Sequence, residues 1–485
     1  MNQRFYRFRR INSLIGDFKE LENQSIFFAS PESLNDPMEG FRDVYWKGDS
    51  IVWNNLFKHY LLCLERLCSI LLISGEDFPI ENKHIPLFDG EDDFPTEQHK
   101  ESFSSISREF LNNVYISKLI KSISERTTPI RRDELFFYLN TIHPFALEVI
   151  SSQYETNGFI PKREKKNTNA EQKVKKLIDQ NLITNLEEKI KKYNGDEKIN
   201  SAFFSSERNN HAEIVLIAFH KSLIERNSKN KNFIFIEFPD IYISELEKLV
   251  YPEWFTACFM TECKSSSVWG HYGDNHSGAC LIFESEFKNG NNFLSLKGPV
   301  GYGHDGIICD YESHELRQVN YIEGYGEIDF FRMLGRLPEP KLYSMWYTFD
   351  GKTSSCAKDM QLSIDDWRSK YWDDFYRDIT IKSKDWSYEN EYRIILSNLF
   401  GSYSDSKNRT LTYKFESLKG IIFGIKTTTE NKLKIIDIIE KKCEELGRSN
   451  FKFYQAKYSN EEKCIIHNEM INLNSQEIHN KNHRA

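Results

Sequence analysis

Two kinds of apolar periodicity divide the sequence, and this division constrains the fold more than any other feature. Residues 1–48, and the chain from residue 201 onward, show short apolar runs of strand length bounded by turn residues. Residues 49–200 instead repeat apolar side chains at helical spacing. The pattern predicts an α+β protein with a mixed, mainly antiparallel β core, flanking helices and a large helical insertion.

The predicted elements are irregularly mixed after residue 200, which disfavours a doubly wound parallel sheet. The main strand candidates there are Phe233–Phe238, Phe255–Met260, Ala279–Phe283, Tyr392–Leu396 and Gly420–Phe423. The periodicity predicts helices at Trp53–Ile73, Phe103–Ile123, Asp133–Ile150 and Lys432–Leu446. We therefore divide the chain into an N-terminal part of the core (1–48), a helical insertion (49–200), the main part of the core (201–472) and a loose polar tail (473–485).

Composition excludes several classes of protein. With 36 Phe, 24 Tyr and 8 Trp among 485 residues, the chain has enough aromatic surface to fold, so overall disorder is excluded. A net charge of -8 argues against a general nucleic-acid binder. The sequence has no apolar run of membrane-spanning length and no signal-peptide core. Nine cysteines without a CxxC pair indicate reduced thiols, and we expect a cytoplasmic protein without membrane contact.

Some motif matches fail on their context. The segment Gly301–Gly306 fits GxGxxG, but Ile307–Tyr311 after it has the pattern of a strand rather than the helix that a dinucleotide site requires. His271 and His276 flank a turn, and we interpret them as polar loop residues because no ligand cluster accompanies them. The sequence predicts no metal site.

Arg7 and Arg9 lie two apart on a predicted N-terminal strand with aromatic neighbours. They therefore share one face of that strand. Two guanidiniums on one face suit a phosphate or diphosphate group. The alternative is a surface strand whose arginines form salt bridges.

Two further segments complete the candidate site. The strand ending at Met260 runs into a polar, aromatic turn that contains Trp269–Tyr272. Glu389 and Glu391 lie two apart at the start of an apolar strand, and we expect both on one side of an extended backbone. Such a pair can bind a ribose hydroxyl and stabilise positive charge. Alternatively, Glu391 and Arg393 simply pair with cross-strand partners.

These residues resemble the bacterial family named domain of unknown function 2971. The resemblance lies in motifs distributed along the chain, outside residues 49–200: Tyr6-Arg7-Phe8, Ile26–Pro31, Leu34–Pro37, Ala257-Cys258-Phe259, Trp269–Tyr272, His276–Leu281, Trp386, Glu389, Glu391-Tyr392-Arg393 and Ile421–Gly424. The family usually has Ser after Cys-Phe, whereas this chain has Met260 followed by Thr261.

The chain is also similar, at the level of fold and spacing, to ADP-ribosyltransferases of the Arg/Ser/Glu type. That resemblance implies NAD as the substrate, with Arg7 or Arg9 on its phosphates and Thr261 or Ser265 ordering the site. Glu391 would bind the nicotinamide ribose, and Glu389 would orient an acceptor. The implied stacking partners of nicotinamide are Trp386, Tyr388 and Tyr272.

Under this interpretation the acceptor is an unknown protein or nucleic acid, or water, and the enzyme is a toxin or a phage-defence effector. Two alternatives stay open. One is a non-catalytic sensor or interaction module whose helical insertion binds a partner. The other is a hydrolase such as a nuclease, with a divalent metal on Asp305, Asp310 and Glu315. The sequence does not determine the oligomeric state.

Overall fold

A computed structural model of the chain describes residues 2–36, 38–164, 169–192, 198–221, 228–304, 306–324, 326–398 and 401–470. The predicted tail, residues 473–485, and Asp305 lie outside the described residues. The chain folds into two compact units, and the α+β class is confirmed. The first unit comprises Met1–Phe41, Glu253–Tyr325 and Tyr376–Ala485, and the second comprises Arg42–Pro252 and Gly326–Phe375.

The first unit is built on an eight-stranded sheet. In chain order its strands are β1 (Arg4–Arg9), β2 (Trp254–Met260), β3 (Ala279–Glu284), β4 (Arg317–Gln318), β5 (Glu391–Ser397), β6 (Leu418–Phe423), β7 (Lys452–Ser459) and β8 (Cys464–Glu469). The spatial order is β4-β5-β2-β1-β3-β6-β7-β8, and every adjacent pair is antiparallel except β6 and β7. The helix Thr429–Glu445 makes the crossover between those two parallel strands.

Both faces of this sheet are covered, which explains why β2, β3 and β6 are nearly continuous apolar runs. One face carries a large core cluster that includes Phe5, Phe259 and Ile394, and the helix Thr429–Glu445 contributes Ile435 and Ile439 to it. The opposite face carries a second cluster that includes Phe8, Met260, Trp269, Cys280 and Ile282. This division of β1 follows the alternation of side chains along a strand.

Smaller elements complete the first unit. A five-stranded sheet contains Ser25–Phe27, Thr410–Tyr413, Glu286–Lys288 and the long hairpin Asn291–Gly303 with Gly306–Glu315. Asn320–Ile322 pairs in parallel with Ile381–Ser383. The remaining helical elements are Ile11–Ile15, Pro31–Ser33, Ser266–His271, Lys384–Glu389, Ser406–Arg409 and Phe415–Ser417.

The second unit is mainly helical, and residues 49–200 lie inside it. Its principal helices are Ser50–Ser74, Glu97–Leu111, Val114–Ser124, Arg132–Thr156, Gln172–Asp179, Leu182–Lys192, Lys198–His220 and Phe238–Leu246; Ile364–Ile379 begins in it. Short strands Asp43–Trp46, Ile130–Arg131 and Glu327–Asp329 form a small sheet. Of the helices that the structure describes, none combines the length and apolar character needed to cross a membrane.

Three of the four predicted helices are confirmed. The helix predicted at Phe103–Ile123 is two helices, Glu97–Leu111 and Val114–Ser124, because the Asn113 side chain caps the start of the second. The strand predicted at Phe233–Phe238 is wrong. Phe233–Glu237 forms a π-helical turn between the helices Lys229–Asn232 and Phe238–Leu246. The run is apolar, and periodicity cannot separate a short buried strand from a buried helical segment. Its surroundings in the second unit decide the outcome: Phe233, Ile234 and Phe238 are buried among helices.

Candidate functional site

The site begins where β5 lies beside β2. Glu391 is directly opposite Met260, and Arg393 is opposite Cys258, so Glu391 and Arg393 lie on the same face of the sheet. Arg393 Nε donates to Glu391 Oε1 at 2.8 Å, and Arg393 Nη1 donates to the carbonyl oxygen of Ile379 at 3.0 Å. The Arg393 side chain is completely buried, so these contacts replace the water that a guanidinium would otherwise bind.

Lys382 comes from the strand Ile381–Ser383 and enters the same region. Its Nζ lies 2.8 Å from Glu389 Oε2 and 2.9 Å from Glu391 Oε2. The side chain is 4% exposed, so both hydrogen bonds form away from solvent. Lys382 therefore joins the two glutamates that the sequence singled out.

Glu39 is the third carboxylate, and it comes from the N-terminal segment. It lies 2.7 Å from Arg393 Nη1 and 3.8 Å from Lys382 Nζ. The Glu39 turn is fixed by Asp36, which accepts the backbone N–H groups of Met38 and Glu39 at 2.9 Å each. We call Glu39, Lys382, Glu389, Glu391 and Arg393 the buried charge cluster.

The buried charge cluster contains three carboxylates and two cations, and its electrostatics separate two of the carboxylates. Burial alone would raise the pKa of Glu391, but Arg393 and Lys382 outweigh burial and hold that pKa well below its ordinary value. For Glu389, burial raises the pKa despite Lys382, and the Glu391 charge adds to the rise. Paired carboxylates whose pKa values are pushed apart are typical of sites that assign proton transfer to one group and charge stabilisation to the other.

The two glutamates converge, but not along an extended backbone as we expected. Glu389 ends the 3₁₀ helix Lys384–Glu389, and Glu391 begins β5. Between them Asn390 adopts a left-handed conformation with φ of 46°, which asparagine tolerates better than most residues. This reversal directs both carboxylates onto Lys382, so the convergence was predicted and its backbone was not.

Four partly exposed or exposed rings lie against the buried charge cluster, and we call His271, Tyr272, Trp386 and Tyr388 the ring group. The Tyr272 hydroxyl donates to Glu389 Oε1 at 2.7 Å, and burial with the Glu389 charge raises the pKa of Tyr272. Lys382 Nζ lies 4.9 Å from the Trp386 ring centroid. The Trp386 and Tyr388 centroids are 6.2 Å apart, and each lies within 6.4 Å of the His271 ring.

The predicted hydroxyl residues lie on the loop between β2 and the ring group. The Thr261 backbone nitrogen lies 3.4 Å from the carbonyl oxygen of Asn390, which places Thr261 beside the glutamate pair. Ser265 caps the helix Ser266–His271, because its hydroxyl accepts the Val268 N–H at 3.3 Å. The structure therefore brings six of the predicted site residues together: Thr261, Tyr272, Trp386, Tyr388, Glu389 and Glu391.

Arg7 and Arg9 are not brought to this site. Phe8 belongs to the core cluster of Met260, which faces Glu391, so Arg7 and Arg9 project from the opposite face of the sheet. Arg7 Nη1 donates to the carbonyl oxygen of Cys258 at 3.0 Å, and burial with the nearby Arg9 charge lowers the pKa of Arg7 to about 10. Arg9 pairs with Glu20, with Nε donating to Oε2 at 2.7 Å.

The other motifs do not form a site. Gly301–Gly303 and Gly306–Tyr311 belong to the two strands of one hairpin, so the GxGxxG match is not a dinucleotide loop. Asp310 accepts the backbone N–H of Tyr311, and Glu315 forms an ion pair with Arg317. Within the described residues, no group of three or more His, Cys, Asp or Glu side chains is placed to hold a metal ion.

Sequence reasoning missed three residues of this region. Lys382 and Glu39 are single charged residues without a motif of their own, although Glu39 lies two residues after the Leu34–Pro37 segment. His271 was identified as a loop histidine, and the structure places its Nδ1 3.3 Å from the Tyr388 hydroxyl. No strand was predicted at Lys382, and no local pattern marked it as the partner of two glutamates.

The fold and the site together define an α+β protein with a buried charge cluster in contact with a group of partly exposed aromatic rings. Residues 268–394 match the family model described as "Protein of unknown function (DUF2971)", which confirms that resemblance over this stretch. The stretch contains the ring group and every member of the buried charge cluster except Glu39. Neither the curated proteins nor the solved structures gave a match to the chain.

Proposed function

We propose that the chain is an NAD-using enzyme, an ADP-ribosyltransferase or an NAD glycohydrolase, whose reaction centre is the Glu389–Glu391 pair. The observation that carries the proposal is the contact of this pair with the ring group, through Tyr272 to Glu389 and through Lys382 to Trp386. Aromatic rings are suitable partners for nicotinamide. A preorganised carboxylate stabilises the positive charge that develops on the ribose as the bond to nicotinamide breaks.

The two glutamates have different roles in this proposal. The bond between ribose C1′ and the nicotinamide nitrogen breaks, and nicotinamide leaves with both electrons. Glu391, held ionised by Arg393 and Lys382, stabilises the positive ribose. The acceptor oxygen or nitrogen forms the new bond to C1′, and Glu389 takes the acceptor proton because its raised pKa makes it the better base.

The proposal makes a specific demand on the ring group. Glu389 and Glu391 are each 2% exposed, so a ribose reaches them only when side chains of the ring group move. The proposed diphosphate contacts of Arg7 and Arg9 would need a ligand that extends around the sheet, since both arginines project from the other face. Support for the proposal therefore comes from the six residues that converge.

The direct test is nicotinamide release from NAD by the purified chain, with and without bacterial extract as a source of acceptor. We expect Glu391→Gln to reduce release about a hundredfold, as the loss of a transition-state contact does. Glu323→Gln is the matched control, because Glu323 is exposed and pairs only with the exposed Lys384 in the described part of the chain. Circular dichroism and thermal unfolding must show that each variant is folded. Absence of release from folded wild-type protein in both conditions would refute the proposal.

A toxin or phage-defence role adds a test in cells. If the chain consumes NAD or modifies a cellular acceptor, its induced expression in bacteria should slow growth. The same expression of Glu391→Gln should not, at equal protein levels. Equal growth inhibition by both proteins would show that the toxicity does not depend on the proposed chemistry.

A second candidate is a non-catalytic sensor or interaction module. The observation that favours it is the complete pairing of Glu391 with Lys382 and Arg393, together with the separation of Arg7 from this site. Under this alternative the ring group binds a planar ligand without reaction. NAD would then change tryptophan fluorescence in the wild type and not in Trp386→Leu, while no nicotinamide is released.

A further inference from the structure

The long hairpin of the first unit has an exposed apolar distal part. Near its base, Leu296 and Lys297 pair with the strand Thr410–Tyr413. Beyond this point the two hairpin strands pair with each other alone among the described residues. The distal part exposes large apolar side chains, each between 39% and 58% accessible: Val300, Tyr302, Ile307, Ile308 and Tyr311. An isolated two-stranded ribbon with such a surface is marginally stable in water.

The outer edge of this hairpin is free to pair. In the described part of the chain, Gly306–Glu315 pairs on one side only, with Asn291–Gly303. The Tyr311 N–H is used by Asp310 Oδ1 at 2.7 Å rather than by the facing strand. Because backbone groups alternate in direction along an antiparallel strand, residues 307, 309 and 311 direct their N–H and C=O groups to the outer edge.

We propose that this edge pairs with the same edge of a second copy of the chain, antiparallel, about a two-fold axis through Cys309. This register places Cys309 opposite its counterpart, Ile307 opposite Tyr311, and Ile308 opposite Asp310. Glu312 then faces Gly306. Each contact occurs twice, as a two-fold interface requires.

The side chains of the edge favour a second copy as its occupant. In the proposed register neither Asp310 nor Glu312 faces another acid, so the strand is complementary to itself. Like charges directly opposite each other would have been destabilising, and aliphatic–aromatic pairs such as Ile307 with Tyr311 are stabilising. Pairing requires that the Asp310 carboxylate release the Tyr311 N–H, which then bonds to the partner strand. The contact is short, so we expect a weak, reversible dimer.

Cys309 provides the first test. It is the cysteine that the structure shows as exposed, and the other eight are buried or partly buried. Opposite residues in a hydrogen-bonded antiparallel pair have Cα atoms about 5.5 Å apart, within reach of a disulfide. Diamide takes two electrons and two protons from two thiols and is reduced to its hydrazine. We expect diamide to give a disulfide-linked dimer of the wild type and none of Cys309→Ser.

The register provides the second test. In a Cys309→Ser background, Ile307→Cys and Tyr311→Cys proteins should crosslink when mixed. Neither protein should crosslink efficiently on its own. In this register the two copies of residue 307, or of residue 311, are offset by four positions along the strands, so they lie about 14 Å apart. Crosslinking of each protein alone as readily as the mixture would overturn the register.

Charge at position 308 provides the third test, which needs no cysteine. Ile308→Lys places a cation opposite Asp310 of the second copy, and Ile308→Asp places an anion there. Each dimer contains two such cross-strand pairs. In sedimentation experiments, Ile308→Lys should therefore lower the dissociation constant about fivefold, and Ile308→Asp should raise it about fivefold. Equal effects of both variants, or a monomer at every concentration without a Cys309 crosslink, would overturn the proposal.

Discussion

Replacing Lys382 by methionine tests the energetic logic of the buried charge cluster. Methionine keeps most of the side-chain volume and removes the ammonium group, which lies 2.8 Å from Glu389 Oε2 and 2.9 Å from Glu391 Oε2. Three buried carboxylates then share the single cation Arg393. Removing one partner of a buried pair typically costs about 3–5 kcal/mol, because the remaining charge is uncompensated. We expect a loss of this size at neutral pH.

The loss should depend on pH in a defined direction. In the wild type the pKa of Glu391 is lowered, so Glu391 contributes stability above its unfolded pKa, and this stability is lost as pH falls. Without Lys382, the folded-state pKa of Glu389, which burial already raises, rises further above its unfolded value, while Arg393 continues to lower the pKa of Glu391. The contribution of Glu389 to the stability of the variant should then decrease as pH rises through its folded pKa. The difference between wild type and Lys382→Met is therefore larger at pH 7.5 than at pH 5.5.

Hydrogen exchange of the β5 peptide, Glu391–Ser397, is the appropriate assay because it reports on the first unit alone. Lys384→Met is the matched control: Lys384 lies two residues away, 69% exposed, and its loss should change stability by less than about 0.5 kcal/mol. Adding Glu389→Gln to Lys382→Met should recover part of the loss by removing one uncompensated charge. A loss below about 1 kcal/mol, or one independent of pH, would refute the reasoning.

Three further predictions concern backbone geometry and titration. Gly278→Ala should destabilise the first unit by about 1–3 kcal/mol in urea denaturation, because the added Cβ would lie 2.3 Å from the Arg9 carbonyl oxygen. Gly270→Ala, with no atom within 4 Å, should be neutral or stabilising. Asn390→Val should cost about 1–2 kcal/mol because a β-branched residue disfavours a φ of 46°, whereas Asn390→Gly should be tolerated; equal costs would contradict this. Burial lowers the pKa of His59 and of His143 to about 4. The second unit should therefore lose up to about 3 kcal/mol of folding stability per histidine as pH falls from 6.5 to 4, measured by urea denaturation at a series of pH values. A stability that does not change over this pH range would contradict the burial of both histidines as neutral groups.

Much of the fold was predictable because local periodicity specifies local structure. The helices at Ser50–Ser74 and Arg132–Thr156 follow from apolar spacing, and the strands β2, β3 and β5 follow from short apolar runs between turns. The segment Phe233–Glu237 was mispredicted because it lacks such a periodicity. Its uniformly apolar run has no period that distinguishes strand from helix.

The candidate site was predictable in part. The approach of Glu389 to Glu391 followed from their separation by one residue, although Asn390 achieves it by a left-handed turn. The rings of Tyr272, Trp386 and Tyr388 were expected only because the resemblance to ADP-ribosyltransferases implied them as stacking partners. Lys382 and Glu39 were not, because no local pattern marks a lone charged residue as a partner of a distant one.

Local sequence patterns were sufficient to predict the α+β class, the helical character of residues 49–200 and the short motifs that carry aromatic and acidic side chains. Which charges meet depends instead on the tertiary fold. Glu39 reaches Arg393 because the turn after Asp36 and the strand β5 belong to the same unit, and Arg7 is separated from Glu391 because the alternation of β1 against β2 puts them on opposite faces. Local propensity acts over a few residues, whereas these contacts depend on strand order and register across more than 350 positions of the chain.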